Sequence, residues 1–391
     1  ALKRPIETVL SGPAASALGA LKLTGGKNTW AVDMGGTTTD IVELIEGAPS
    51  LNPNGACIGG WRTMVEAVDV HTIGLGGDSH VRVSSENQLV IGPNRVIPLC
   101  KLASEYPDKV MGTLRALGNS DKSDLDATQF LISGKAEQPQ LSQNDATLLA
   151  KLDDGPQPLT TITGPAAYAD PWISKRIQNL AETGLIQCAG FTPTDALHVL
   201  KYFQEWDTEA SLLAGKLLST HLGLPTELFC KQVVKTVSRN AAAAIASKAI
   251  TDEMGKPDWK QVQTDGFLLN KALKQDQKGK LIPEIRLKHP LVALGAPVTA
   301  YMPGAADILK TRLSIPEFAE VANAIGAVSG QTVLQLKVRI RPISGSQNVR
   351  LLSPHSPIDF SRIEEAVEYA MRHMTPLVED MARQAGAKHV Q

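Results

Sequence analysis

The sequence lacks most of the signals that identify a chemistry quickly. It has four cysteines, at 57, 100, 188 and 230, with no CxxC pair among them. That spacing excludes the common zinc frameworks and a disulfide scaffold, and predicts reduced thiols in a cytoplasmic protein. Neither charge sign is in excess, with 39 Lys and Arg against 40 Asp and Glu, so a nucleic-acid or membrane partner is not expected. No apolar run approaches the roughly 18 residues of a membrane helix; the richest, NAAAAIASKAI, is short and amphipathic. The P-loop pattern GxxxxGK followed by Ser or Thr is missing, and so is GxGxxG after a strand. A P-loop NTPase and a Rossmann dinucleotide site are thereby excluded. GxSxG and HExxH are absent as well, which removes the esterase elbow and the common zinc-protease helix.

What is present is a globular composition, 43% hydrophobic and 20% charged, over 391 residues. That length predicts two or three structural units. SGPAASALGALKL reads as a helix start, with Ser11 and Gly12 at the cap and Pro13 at the first helical position. It runs straight from Ala1 with an ordered pattern, which is expected of a continuation of a longer polypeptide. NTWAVDM and DIVELIEG read as strands joined at Gly35-Gly36, and MVEAVDVHTI, SHVRVS and NQLVIG as further hairpins. The pattern divides the chain at 1–100, 101–235, 236–330 and 331–391. The second segment reads as a mostly helical insertion, and PWISKRIQNLAETGLIQCAGFTPTDALHVL within it has a helix-turn-helix rhythm without a basic stripe. In the last segment, TVLQLKVRIRP alternates Leu334, Leu336, Val338 and Ile340 as a half-buried strand. Ser361 and Glu364 form a capping-box pattern before a helix that Pro376 is expected to kink or end.

Three stretches carry candidate chemistry. In Asp33-Met34-Gly35-Gly36-Thr37-Thr38-Thr39-Asp40, glycines allow backbone N–H groups to approach a polyphosphate, and threonine hydroxyls add donors. Asp33 and Asp40 are candidate Mg²⁺ ligands; the plain alternative is a hairpin turn. In Asp69-Val70-His71, the carboxylate and imidazole share one strand face and suit a divalent metal or an acid–base pair. A structural histidine is the alternative there. The glycines that follow, Gly74, Gly76 and Gly77, make a second flexible loop ending in Asp78 and Ser79. In LVALGAP, a strand ending at Gly295-Ala296-Pro297 can hold an adenine or ribose against the backbone. The helix EVANAIGAV has small residues that suit a close backbone crossing, and His198 reads as a helical core or surface residue.

SGPAASALGA, DMGGTTTD, VDVHTIGLGGDS, VANAIGA and FTPTDALHVL together resemble the hydantoinase/oxoprolinase family, of the hydantoinase A type. The resemblance implies an α/β fold of ribonuclease H-like (actin/Hsp70-like) ATPase lobes with a mostly helical insertion. It implies ATP and Mg²⁺, or another divalent metal, as cofactors, and a small cyclic amide such as a hydantoin or 5-oxoproline as substrate. Phosphorylation of the amide oxygen would turn a resonance-stabilised carbonyl into an electrophile. On this reading Asp33, Asp40 and His71 are catalytic, and Asp33, Asp40, Asp69 and His71 hold metal. Gly35, Gly36, Thr37, Thr38, Thr39, Gly76, Gly77, Gly295 and Ala296 bind the cofactor. Two departures stand out. The family's earlier DxGGTFTD hairpin has no copy here, so an N-terminal lobe or a second subunit is expected to supply it, and this chain alone is expected to be inactive. The third glycine of the usual GAGGGS is replaced by Asp78. An Hsp70-like ATPase or reactivating factor acting on a protein, and a ketone carboxylase-type subunit, are the alternatives.

Overall fold

The computed structural model describes residues 11–52, 55, 57–58, 61–62, 67–84, 86–118, 125–136, 141–164, 171–254, 263–275, 281–329, 336, 338–353 and 356–384. The chain divides into two compact units, Ala1–Val328 and Ser329–Gln391.

The first unit is built on a mixed sheet. Its elements are helix α1 (Ser11–Thr24), strands β1 (Thr29–Met34), β2 (Thr39–Ile45), β3 (Ala48–Pro49) and β4 (Val70–Ile73), helix α2 (Thr226–Met254), strand β5 (Leu291–Leu294), helix α3 (Val298–Ile308), strand β6 (Leu313–Ser314) and helix α4 (Ala322–Ser329). The sheet runs β6-β5-β1-β2, with β3 and β4 both on the outer edge of β2. β1, β5 and β6 are parallel. β2 is antiparallel to both β1 and β4, so β4 runs in the same direction as β1. The topology is therefore an antiparallel three-strand meander followed by two parallel strands.

Alternation along the strands sends side chains to two cores. Trp30, Val32, Met34 and Ile41 join a large cluster that includes Ala241 and Ile245 of α2 and Tyr301 and Ala305 of α3. Ala31, Val42, Leu44, Val292 and Leu294 pack against Ala17 and Ala20 of α1 and Ala322 of α4. A slip of one residue would exchange these sets between the faces, at about 1.5–3 kcal/mol per displaced large side chain, so the register is firmly fixed. The second core is thin because its helices touch through backbone. A Cβ on Gly326 would lie 1.7 Å from the Ala15 carbonyl oxygen, and one on Gly19 would lie 2.1 Å from that of Ala322. The small residues of EVANAIGAV thus serve the close crossing expected of them.

Residues 79–83 and 89–95 pair as a hairpin, whereas Val70–Ile73 joins the main sheet. Helices dominate the segment from 101 to 235, but Ile97–Pro98, Phe130–Ser133, Gln157–Pro158 and Ile186–Gly190 form a second, four-stranded sheet. The helix-turn-helix rhythm is corrected accordingly. Between the helices Pro171–Glu182 and Pro193–Val199 lies the strand Ile186–Gly190, paired with Phe130–Ser133. LIQCAG is too short an apolar run for periodicity to separate strand from helix.

The second unit is an antiparallel meander of Arg339–Pro342, Val349–Leu352 and Pro357–Phe360 with the helix Ile363–Gln384. The Phe360 and Tyr369 rings meet tilted, their centroids 5.3 Å apart. The helix does not end at Pro376 but continues to Gln384; burial of Ala382 beyond the proline helps to hold its last turns. Of the alternating run, Ile340 lies in a strand and Leu334 lies outside the described residues.

Candidate functional site

β1, β4 and β5 run in one direction, so their C-terminal ends share one edge of the sheet. The chain leaves that edge through three small-residue loops, Gly35–Thr38, Leu75–Asp78 and Gly295–Pro297. An edge of parallel strand ends is where open α/β sheets bind ligands.

The loops are held against one another by backbone. Gly77 and Asp78 N–H donate to the carbonyls of Gly35 and Gly36 at 3.1 and 2.8 Å. A Cβ on Gly76 would lie 2.5 Å from both those oxygens. Gly295 has φ +101°, and a Cβ there would lie 2.1 Å from the Met34 carbonyl oxygen, so only glycine suits that position. The two glycine-rich stretches therefore do different jobs. Gly76 and Gly77 are buried and form a platform under the first loop, their N–H groups donating to Ser79 Oγ and the Gly35 carbonyl. Thr39 is likewise buried and donates its hydroxyl to the Leu75 carbonyl at 2.7 Å, so it staples the loops together. Gly35 and Thr37 are exposed, with Gly36 and Thr38 half-buried. Gly35 N–H closes the turn onto the Thr38 carbonyl at 3.0 Å. Among the described residues, the N–H groups of Gly36, Thr37 and Thr38 have no protein partner. Ala296 is exposed beside them, at the entry to α3.

Asp33 and Asp40 lie directly opposite each other across β1 and β2, and so share a sheet face. Ser16 of α1 donates its hydroxyl to Asp33, and Thr72 donates to Asp40 at 2.6 Å. Burial raises the Asp40 pKa above the ordinary carboxyl value; the Thr72 hydroxyl opposes that shift and the charge of Asp33 adds to it. Two carboxylates that repel each other at a strand end make an attractive position for a cation.

The other two expected metal ligands are on the opposite face. His71 pairs with Ile41, whose side chain enters the α2–α3 core, and Asp69 shares the parity of His71. There Lys248 of α2, 6% exposed, holds Asp69 at 2.5 Å and Asp252 at 2.6 Å. Burial alone would lower the Lys248 pKa, but its bonds to Asp252 and Asp69 outweigh this and raise it. Burial and the Lys248 charge together lower that of His71. The expected set Asp33, Asp40, Asp69 and His71 is thus divided by the sheet, and among the described residues no three His, Cys, Asp or Glu side chains converge as metal ligands. His71 therefore lies on the other side of the sheet from Asp33 and Asp40.

The sequence reading missed the supports. Asp78 is held by Arg95 at 3.1 Å. Thr194 grips the Gly77 carbonyl through both its N–H, at 2.9 Å, and its hydroxyl, at 2.8 Å. Next to it Asp195, fully buried, accepts from the N–H groups of Leu99, Cys100 and Thr192 and from the hydroxyls of Thr192 and Ser211. One carboxylate so caps two helices and fixes the platform. The Thr192-x-x-Asp195 spacing is a capping box, a signal visible in FTPTDALHVL. His198 is a core residue, with Nδ1 2.9 Å from the Thr194 carbonyl and Nε2 accepting from Trp206 N–H at 3.2 Å.

The fold and this edge define a mixed α/β protein with a loop site at the ends of its parallel strands. Residues 1–101 match the family model described as hydantoinase/oxoprolinase, and this part of the chain carries that family's signature, as the resemblance read from its motifs implies. No curated protein matches. Among solved structures the chain is similar to acetone carboxylase in its nucleotide-free form, at 14% identity and TM-score 0.50, over 97% of this chain and 39% of that one. It is also similar to the ATP-dependent caprolactamase from Pseudomonas jessenii, at 15% identity and TM-score 0.41, over 82% of this chain and 32% of that one. The chain thus spans about two fifths or less of the length of these proteins.

Proposed function

We propose that this chain is the phosphate-loop part of an ATP-dependent enzyme that activates a small carbonyl compound, a cyclic amide in the leading reading. The meander-plus-parallel sheet, ordered β4-β2-β1-β5-β6, supports reading it as a ribonuclease H-like lobe. The observation that carries the reading is the partly exposed Gly36–Thr38 turn, whose three N–H groups have no partner among the described residues, beside the facing carboxylates of Asp33 and Asp40. Mg²⁺ takes one or two carboxylates together with phosphate and water oxygens, so the donor set fits a magnesium–nucleotide complex without Asp69 or His71. When bound, ATP would supply an activated phosphoryl group. Asp33 and Asp40 would hold the metal, with Ser16 and Thr72 orienting them. Gly36, Thr37 and Thr38 would bind phosphate oxygens through N–H, and Gly295 and Ala296 would border the nucleoside.

An exposed turn on one side gives half of a phosphate clamp. The other half is assigned to a partner lobe, in the same polypeptide or in a second subunit. A ketone carboxylase-type role is the second reading, favoured by the fold likeness to acetone carboxylase over 97% of this chain. The test is ATP hydrolysis by the chain assembled with its partner lobe. Stimulation by a hydantoin or by 5-oxoproline supports the first reading. Stimulation only by a ketone with bicarbonate supports the second, and stimulation only by a protein would refute both.

A further inference from the structure

Away from the loop edge, a cavity of about 420 Å³ lies between the hairpin 79–95 and the second sheet. That is within the roughly 300–1,000 Å³ of small-molecule pockets. One wall is polar. His80 and Arg82 are two apart on the strand Ser79–Val83, so both side chains leave the same face and line the cavity. His80 is 7% exposed and has no hydrogen-bond partner among the described residues. Among the described residues Arg82 Nε is buried without a partner, and its Nη2 reaches the Gly92 carbonyl at 3.5 Å. Leu131, Leu159 and Ile177, which pack in one cluster, give the lining an apolar part.

A buried guanidinium N–H with nothing to bond is costly, and His80 adds at the cavity an imidazole with no protein partner among the described residues. The other charges at the cavity are already engaged. Arg95 is paired with Asp78, and Glu182 is exposed at the rim, bonded by Gln178 at 2.8 Å. Arg82 is thus the half-buried charge at the cavity, while the Glu182 carboxylate is exposed to water.

We propose that this cavity is a second ligand site, for a small organic monocarboxylate with an apolar body. The carboxylate lies on the Arg82 guanidinium and accepts the N–H of His80, and the body packs on Leu131, Leu159 and Ile177. A guanidinium fork matches a carboxylate in shape as well as charge. Burial and Arg82 lower the His80 pKa to about 4, so at neutral pH its ring has one N–H to give. The site does not depend on the nucleotide reading, and shares with the loop edge only Arg95.

The test uses benzoate, hexanoate and 3-phenylpropanoate, each beside its uncharged amide, titrated into the chain at pH 7 by saturation-transfer NMR and calorimetry. At least one acid is expected to bind saturably, and its amide at least about tenfold more weakly, as the loss of a charge-assisted hydrogen bond requires. Arg82→Met is expected to weaken the acid by the same factor and leave the amide nearly unchanged. Ala181→Trp, which fills the apolar end, is expected to abolish both. If Arg82→Met does not fold, the acid–amide ratio and Ala181→Trp decide the matter. Equal binding of acid and amide, no saturable binding of any acid, or binding unaffected by a folded variant overturns the proposal.

Discussion

Replacing Asp195 by alanine puts the platform beneath the loops directly to the test. The carboxylate accepts five hydrogen bonds, and Leu99, Cys100, Thr192 and Ser211, which donate them, are 0% exposed. In Asp195→Ala the two hydroxyls can turn to other acceptors, but three backbone N–H groups cannot. Each buried orphan costs about 1–3 kcal/mol. Partial collapse and water entry into the vacated space reduce the sum, so a loss of about 3–5 kcal/mol is expected. Asp195→Asn keeps one acceptor but turns an NH₂ toward the remaining donors, and about half that loss is expected. A chain of two units is not expected to unfold in one step. The appropriate assay is hydrogen exchange resolved by segment, with urea as perturbant. Protection should fall first at residues 99–105 and 193–199, and then at Gly77 and Asp78, whose carbonyl and N–H contacts depend on Thr194. A loss below about 1 kcal/mol, or one confined to the helix 193–199, would refute the argument that one carboxylate joins both helix ends to the loop.

Gly76→Ala brings a Cβ against two carbonyl oxygens at 2.5 Å; a destabilisation of about 1–3 kcal/mol is expected in a thermal melt, together with altered Gly35 and Gly36 amide shifts. Asp40→Asn removes a carboxylate whose pKa is raised in the folded chain. Ionising Asp40 therefore costs stability as pH rises above the unfolded value of 3.8, so without ligand Asp40→Asn should be no less stable than the parent at pH 7. Its advantage should shrink as pH falls toward 3.8, as melts at several pH values will show. His80 has a folded pKa of about 4 against 6.5 unfolded, so it contributes stability above pH 6.5 that is lost as pH falls through about 4. The full loss is about 3 kcal/mol, and His80→Gln should flatten that part of the stability–pH curve.

The hairpin around Gly35-Gly36, the Gly295 turn and the small-residue crossing of α1 with α4 were legible because each rests on local chemistry: glycine where backbone must approach, and alternation where a sheet has two cores. The division of Asp33 and Asp40 from Asp69 and His71 was not legible. Asp69 and His71 share a face by parity, but which face depends on the pairing of β4 with β2, and no local pattern states that His71 lies opposite Ile41. The platform role of Gly76 and Gly77 was hidden for the same reason, since the carbonyls they pack against belong to Gly35 and Gly36, far earlier in the chain, and the support of Gly77 comes from Thr194. The second sheet was missed because its strands are short and separated by helices. By contrast, Thr192-x-x-Asp195 was a readable capping box whose second duty, at Leu99 and Cys100, could be found only in three dimensions.

The central claim is that the Gly36–Thr38 turn, with Asp33 and Asp40, holds the phosphates of a magnesium-bound nucleotide. Titration of the chain with ATP, with and without Mg²⁺, followed by backbone amide NMR, tests it most directly. The account predicts that the largest shifts fall on Gly36, Thr37, Thr38 and Ala296, that they require Mg²⁺, and that Asp40→Asn removes the Mg²⁺ dependence. Shifts centred elsewhere, or on Asp69 and His71 across the sheet, would contradict it.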